Sequence, residues 1–451
     1  MDQPTLFEIP QEPPGERPEA AGGGRPRLRT ANRHQVQMHF AALDQLLAED
    51  HRVRAVWEYV DGLDLSAFHQ GVAAVEGRAG RDANDPRILL TLWLYATVEG
   101  VGSARELARL CEDHVVFQWI CGGVSMNYHT LSDFRTQQGY LLDGLLTDSV
   151  AALLHEGLVT LERVAQDGVR VRAHAGASSF RGRSKLEACL EEAQTQVEAL
   201  KSEVDADPAA GTRRQKAARK RAARERAARV AQALEALAEV EEKKARRGRD
   251  SLKSPARAST TDPDARTMKV ADGGFRPAYN VQFSTDTASQ VIVGVEVIQE
   301  GSDAGQLTPM TEQIESRTGR RPAETLADGG FSTLEEIDRL NDPAAGSTVY
   351  VPVKDKEKKR KAGQNPFAPL PTDSPHVAEW RARMGTADAK EIYKQRAATA
   401  ECVNALARNR GLHQFNVRGR PKVLVVALWY ALAHNVLRGI ALRAGIALAT
   451  K

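Results

Sequence analysis

Three acidic residues in this 451-residue chain stand in settings suited to chemistry at phosphorus. Asp167 lies in Val-Ala-Gln-Asp-Gly-Val-Arg-Val, Asp328 in Leu-Ala-Asp-Gly-Gly-Phe, and Glu401 closes Tyr-Lys-Gln-Arg-Ala-Ala-Thr-Ala-Glu. Magnesium prefers hard oxygen ligands, and a pair of such ions can clamp the attacking and leaving oxygens of an in-line displacement. Two carboxylates at strand ends and a third on a later helix could hold that pair against a phosphodiester. An Asp-Gly pair taken alone is also a common turn signal, so each of the first two acids has a plain reading as a turn.

The sequence Ala-Asp-Gly-Gly-Phe occurs twice, at 271–275 and at 327–331. The second copy ends a short apolar strand and opens a helix through Ser332-Thr-Leu-Glu-Glu, which puts Asp328 at a strand's C-terminal edge, where ligand sites form. The first precedes a hairpin strand, so Asp272 reads as a surface turn. Glu401 has an internal check. At about 100° per residue, Tyr393, Arg396, Glu401 and Arg408 fall at about 0°, 300°, 80° and 60°, one face of a helix. Ile392, Val403 and Leu406 form an adjoining apolar face. Glu391 would point away at about 160°. A solvated amphipathic face is the plain reading of this helix.

The elements that must position these residues follow from periodicity. Residues 1–34 are rich in Pro, Gly, Glu and Arg and read as a disordered tail. Over 35–158 apolar residues recur at three and four, which predicts a helical domain, with Ser103 and Thr130 as N-caps. The period changes to two at Val164, so a strand carries Asp167 and 159–183 begins an α/β domain. Residues 184–250 are dominated by Ala, Glu, Lys, Arg and Leu and read as an inserted, charged helical hairpin. From 251 to 451 the α/β domain resumes with a β-hairpin turning at Asp286-Thr-Ala-Ser, then alternating helices and strands, an exposed loop at the charge run Lys354–Lys361, and closing helices.

The formal charge of +3 and a pI near 8.6 neither demand nor exclude a polyanionic partner. The distribution is more telling, because nine Lys or Arg residues lie between Arg213 and Arg229 against Glu225 alone. Four scattered cysteines without metal spacing fit small core residues in a reducing compartment. The N-terminus lacks a leader pattern and the longest apolar stretch, Val423 to Leu432, falls short of a bilayer span, which points to a cytoplasmic, nucleoid-associated protein.

Read in order, the motifs resemble a bacterial insertion-sequence transposase of the DDE class, with an RNase H-like catalytic domain. In the helical region the resemblance rests on Asn84-Asp-Pro-Arg-Ile-Leu-Leu, Gly102-Ser-Ala-Arg-Glu-Leu-Ala, Phe117-Gln-Trp-Ile-Cys-Gly-Gly and Thr130-Leu-Ser-Asp-Phe-Arg. Farther on it rests on Asp167-Gly, Thr261-Asp-Pro-Asp-Ala-Arg, Tyr279-Asn-Val-Gln, Asp328-Gly-Gly-Phe, the Tyr393, Arg396, Glu401 series and His434-Asn435. Arg408 stands where the family signature has Lys, and keeps its charge.

The resemblance implies an α/β fold with an RNase H-like mixed sheet, flanking helices, an all-α N-terminal domain and an inserted hairpin. It implies that Asp167, Asp328 and Glu401 bind two magnesium ions, for which manganese could substitute. Tyr393, Arg396 and Arg408 would hold DNA phosphates. The implied reaction is strand cleavage at element ends and strand transfer, with double-stranded DNA, terminal inverted repeats and target, as partner to a homodimer or larger assembly. Gln3-Pro-Thr-Leu-Phe resembles the peptide that binds the replication sliding clamp, through Gln3, Leu6 and Phe7. An inactive DNA-binding protein and a nuclease that cuts without joining share the same signature.

Overall fold

The apolar spacing of the N-terminal third produces α1 (Arg52–Asp61), α2 (Ser66–His69), α3 (Pro86–Val98), α4 (Ala104–Asp113), α5 (Val115–Cys121), α6 (Tyr128–Gln137) and α7 (Gly139–His155). The computed structural model describes residues 40–445 apart from 71, 73, 76, 78–81, 207–211, 247–253 and 345, together with 31 and 34. Helix α3 is buried almost all round, as its run Ile-Leu-Leu-Thr-Leu-Trp-Leu-Tyr requires, and Asp85 caps it with Pro86 at its first position. Ser103 caps α4 as expected, accepting from the Glu106 N–H. Thr130 does not cap α6. Asn127 accepts from the His129 N–H three residues earlier, so the helix is already under way at Thr130.

The strands are β1 (Arg163–Arg172), β2 (Phe180–Arg181), β3 (Ala258–Ser259), β4 (Arg266–Lys269), β5 (Phe275–Asp286), β6 (Ile292–Ile298), β7 (Glu324–Leu326) and β8 (Thr348–Tyr350). The main sheet runs β4-β5-β1-β7-β8, with β6 pairing along the rest of β5. β1 is antiparallel to β5 and parallel to β7, and β7 is parallel to β8, the mixed α/β sheet the sequence predicts. As a central strand β1 buries consecutive residues, Val164, Ala165 and Gln166, rather than alternating cleanly. The hairpin turn between β5 and β6 is held by Asp286, whose carboxylate accepts from the Ser289 N–H and hydroxyl.

Between β2 and β3 lie α8 (Arg183–Ala206) and α9 (Arg213–Arg246), which pack on each other through Leu186, Ala233 and Leu237. After β6 come α10 (Leu307–Thr318), α11 (Leu334–Leu340), α12 (Lys356–Lys361), α13 (Pro375–Arg383), α14 (Ala387–Arg396), α15 (Cys402–Asn409) and α16 (Arg420–Arg443). α12 corrects the expectation of a loop at the charge run, since Lys, Arg and Glu propagate a helical turn readily and Glu357 pairs with Arg360 across it.

Residues 43–451 form one compact unit. Its largest core joins Val53, Trp93 and Leu146 of the N-terminal helices to Val169, Phe283 and Val295 of the sheet and Trp429 of α16. A second core under β7 and β8 contains Phe331, Val349, Trp380 and Ala400. α16 is long and apolar enough to cross a membrane by length and composition, longer than the apolar stretch read from sequence, but 78% of that window is buried within the protein. It packs against α7, α3 and β6. Asn435 on α16 completes the edge of β6, accepting from the Ile292 N–H at 2.8 Å and donating to its carbonyl at 2.7 Å.

Candidate active site

Asp167 and Asp328 are brought level by strand register. The last parallel pair of β1 and β7 is Ala165 with Leu326, and each acid lies two residues beyond it. Adjacent strands sit about 4.8 Å apart, so the two backbones reach this level side by side. Asp328 leaves the C-terminal edge of β7, as expected. Asp167 does not end its strand. It stands in the middle of β1, opposite Phe283 of β5, because the antiparallel pairing with β5 continues after β7 has stopped. The Asp328 loop is a tight Asx turn, its carboxylate accepting from the Gly330 N–H at 2.7 Å. Asp272, its rival, lies in the exposed β4–β5 turn paired with Arg276.

Glu401 arrives by way of a π-helical turn, Ala397–Glu401, set between α14 and α15. An i→i+5 turn holds more residues than an α turn, so the uniform 100° count over-rotates Glu401. The wider turn winds it back toward Tyr393 and Arg396. Val403 belongs to the larger core and Ile392 packs on the second, while Leu406 is half-buried. Glu391 is exposed and paired with Lys394 at 2.5 Å, away from the site.

One side chain gathers the three acids. The Arg396 guanidinium lies 3.4 Å from Asp167, 4.0 Å from Asp328 and 3.6 Å from Glu401. Arg396 is largely buried, Asp167 less so, and Glu401 is 66% exposed, so the cluster opens to solvent on the Glu401 side. Burial raises the Asp167 carboxyl above the usual aspartate range; Asp328 and Asp303 push in the same direction, while Arg396 and the Gly168 N–H oppose it. Tyr393 is half-buried on the preceding turn, and burial, reinforced by the three acids, pushes its phenol up. Arg408 is exposed on α15 and, among the described residues, forms no ion pair with the acids.

Three further groups were not singled out in the sequence. Asn404, one turn beyond Glu401, donates to Asp167 at 3.0 Å, and its amide oxygen is buried without a partner. Its i+3 spacing from Glu401 was the available signal. Asp303, buried in the loop after β6, accepts 2.7 Å hydrogen bonds from Asn280, Gln282 and Arg170. Gly168 makes room for that cluster, since a β-carbon there would stand 2.2 Å from the Asp303 Oδ1 and 2.4 Å from the Gln282 Nε2. Nothing local marks Asp303, because its partners come from β1 and β5.

Among the described residues no group of three or more His, Cys, Asp or Glu side chains forms a ready metal cage. The donor chemistry nevertheless suits magnesium. Three carboxylates gathered around one guanidinium make an all-oxygen donor set. Gln3, Leu6 and Phe7 lie outside the described residues.

Two family models match the chain: Transposase domain (DUF772) over residues 41–137 and Transposase DDE domain over residues 357–439. The second span includes Tyr393, Arg396, Glu401, Arg408, His434 and Asn435. No curated protein and no solved structure matched.

Proposed function

Starting from an insertion-sequence DDE transposase, we propose that this chain binds the terminal inverted repeats of its element and catalyses metal-dependent strand cleavage followed by strand transfer. The observation that carries the reading is Arg396, whose guanidinium meets Asp167, Asp328 and Glu401 from a strand, a loop and a helix far apart in sequence. Structural acids have no cause to converge in this way on an open face of the sheet.

In this reading Asp167, Asp328 and Glu401 would hold two magnesium ions, whose chemistry there would be activation of the attacking water or 3′-hydroxyl and stabilisation of the leaving oxygen. Asn404 fixes the orientation of the Asp167 carboxylate. Arg396, Tyr393 and Arg408 would hold DNA phosphates beside the acids. Such contacts position DNA without reading its sequence. The helical region over 35–158 supplies the reader of the repeats, and the basic flank of α9 adds salt-dependent backbone contact. Holding two ends together calls for a homodimer or larger on DNA, in a cytoplasmic, nucleoid-associated setting. The N-terminal peptide Gln3, Leu6 and Phe7 would recruit the sliding clamp.

The test incubates purified protein with magnesium and a labelled duplex carrying an element end. Cut and strand-transferred products are expected. Cut product alone means a nuclease, and a mobility shift without cutting means a binding module. Alanine at Asp167, Asp328 or Glu401, or chelation of the metal, should abolish cleavage with end binding retained. Loss of end binding as well would give the acids a folding role.

A further inference from the structure

A second concentration of positive charge lies away from the three acids, where loop 97–103 meets segment 410–416. A half-enclosed cavity of about 230 Å³ opens there, lined among others by Ser103, Arg135, Arg410, His413, Asn416 and Tyr430. Its floor is a close backbone crossing. Gly100 and Gly411 both adopt positive φ, and a β-carbon on Gly411 would stand 3.0 Å from the Gly100 carbonyl oxygen.

Among the described residues neither arginine has a counter-ion. Arg135 donates from Nη1 to the Gly102 carbonyl and lies 4.7 Å over the Trp93 ring, but its Nε is buried without a partner. Burial lowers its guanidinium to about 10. Among the described residues the Arg410 side chain makes no hydrogen bond and no ion pair, and its Nη1 is buried without a partner. The one carboxylate in the lining, Glu106, is exposed and pairs with neither arginine. Helix α4, ten residues long and capped by Ser103, begins at the same wall and adds the positive end of its dipole. A desolvated guanidinium and a half-buried one facing a single cavity without an anion are a costly arrangement that a bound anion would relieve.

The cavity is tied to the acids by short, stiff connections. Arg172, at the end of β1, donates to the His413 carbonyl at 3.1 Å and accepts from the Phe415 N–H at 2.8 Å. Five residues of β1 separate Arg172 from Asp167, a reach of about 17 Å, and nine residues separate Arg410 from Glu401 along the α15 side, about 13 Å. At roughly 3.4 Å per base pair that is about four to five base pairs of duplex.

We propose that the Arg135–Arg410 cavity seats a backbone phosphate of bound DNA, about four base pairs from the phosphodiester held at Asp167, Asp328 and Glu401. The proposal rests on the transposase reading. It makes the junction between the helical region and the Glu401 helix a positioning site, where the strand is gripped at a fixed offset from the reacting bond.

The test measures binding of a 30-base-pair duplex against salt concentration for the full chain, for Arg410→Gln and for Arg410→Lys, with melting curves recorded alongside. Arg410→Gln should reduce the slope of log K against log salt by about 1, and Arg410→Lys should restore it. The lysine variant also serves if the glutamine one melts early. Wild-type binding with the same slope in Arg410→Gln overturns the proposal and leaves the transposase reading standing. Wild-type protein that binds no duplex overturns both. If millimolar inorganic phosphate raises the melting temperature of wild type but not of Arg410→Gln, while the DNA slope stays unchanged, the cavity takes free phosphate and the DNA assignment is wrong.

Discussion

Replacing Gly168 with alanine adds a single methyl group at the most crowded point beside the acids. Its β-carbon would meet the Asp303 Oδ1 at 2.2 Å, the Gln282 Nε2 at 2.4 Å and the Asn280 Oδ1 at 2.6 Å, where contacts of 3.4 Å or more are ordinary. Two routes relieve the overlap. β1 can move, at an overpacking cost of about 1–3 kcal/mol and with displacement of Asp167. Alternatively Asp303 can withdraw, losing charge-assisted bonds from Asn280 and Gln282 worth about 1.5–3 kcal/mol each. Neither route accommodates all three contacts alone, so the expected destabilisation is about 3–6 kcal/mol. At about 2.1 cal/mol/K per residue of unfolding entropy, this lowers the melting temperature by about 3–6 °C. Since misplacement by about 1 Å costs on the order of 100-fold in rate, cleavage should fall at least that far even at temperatures where the variant is folded. Differential scanning fluorimetry and a cleavage time course read the two effects. Asp303→Ala in the same chain removes the nearest clash, so the double variant should be less destabilised than the sum of the singles by about 0.5–3 kcal/mol. Wild-type melting and cleavage in Gly168→Ala, or strict additivity in the double variant, would refute the reasoning.

His434 is 2% exposed, donates from Nε2 to the Gln290 carbonyl at 2.9 Å, and is pushed down by burial to about 4. Because Gln290 offers a carbonyl, the ring donates there and is neutral. Between pH 6.5 and 4 the unfolded chain therefore binds a proton that the folded one does not, and stability falls as pH drops through that window. The loss should reach about 2 kcal/mol between pH 7 and pH 5, and His434→Gln should remove that increment, read as denaturant midpoints at the two pH values. Asn435→Ala leaves both the Ile292 N–H and carbonyl buried without partners, so a destabilisation of about 2–4 kcal/mol is expected by the same measurement, and a value under about 0.5 kcal/mol would mean that water replaces the amide.

Much of the architecture could be read from local pattern. The β5–β6 hairpin with its Asp286 turn, the succession α10, β7, α11 and β8, and the Ser103 cap each follow from residues close together in sequence, where propensity and capping act. The acids stood out as candidates because Asp-Gly pairs beside apolar strand residues and one helix face are local features, although Asp167 lies inside β1 and not at its end. What lay beyond reach depends on distant chain. Asp303 acquires its partners only when β1 and β5 lie side by side, and Arg396 becomes the centre of the acids only once β7 ends beside β1. The π turn before Glu401 escaped because Ala-Ala-Thr-Ala is an ordinary helical run, and packing against β1 and β5 selects the wider turn. Thr130 failed as a cap for the opposite reason, since a better acceptor at Asn127 preceded it.

The paired strands β2 and β3 bring the chain out to the long hairpin and back at a single point, Phe180 beside Ser259, with the Ser179 and Ser259 hydroxyls bonded at 2.7 Å. A segment whose two ends already touch can lengthen, shorten or be exchanged for an unrelated one without altering the frame that carries the acids. A change in the length or sequence of this arm therefore need not shift the strands on which Asp167 and Asp328 stand.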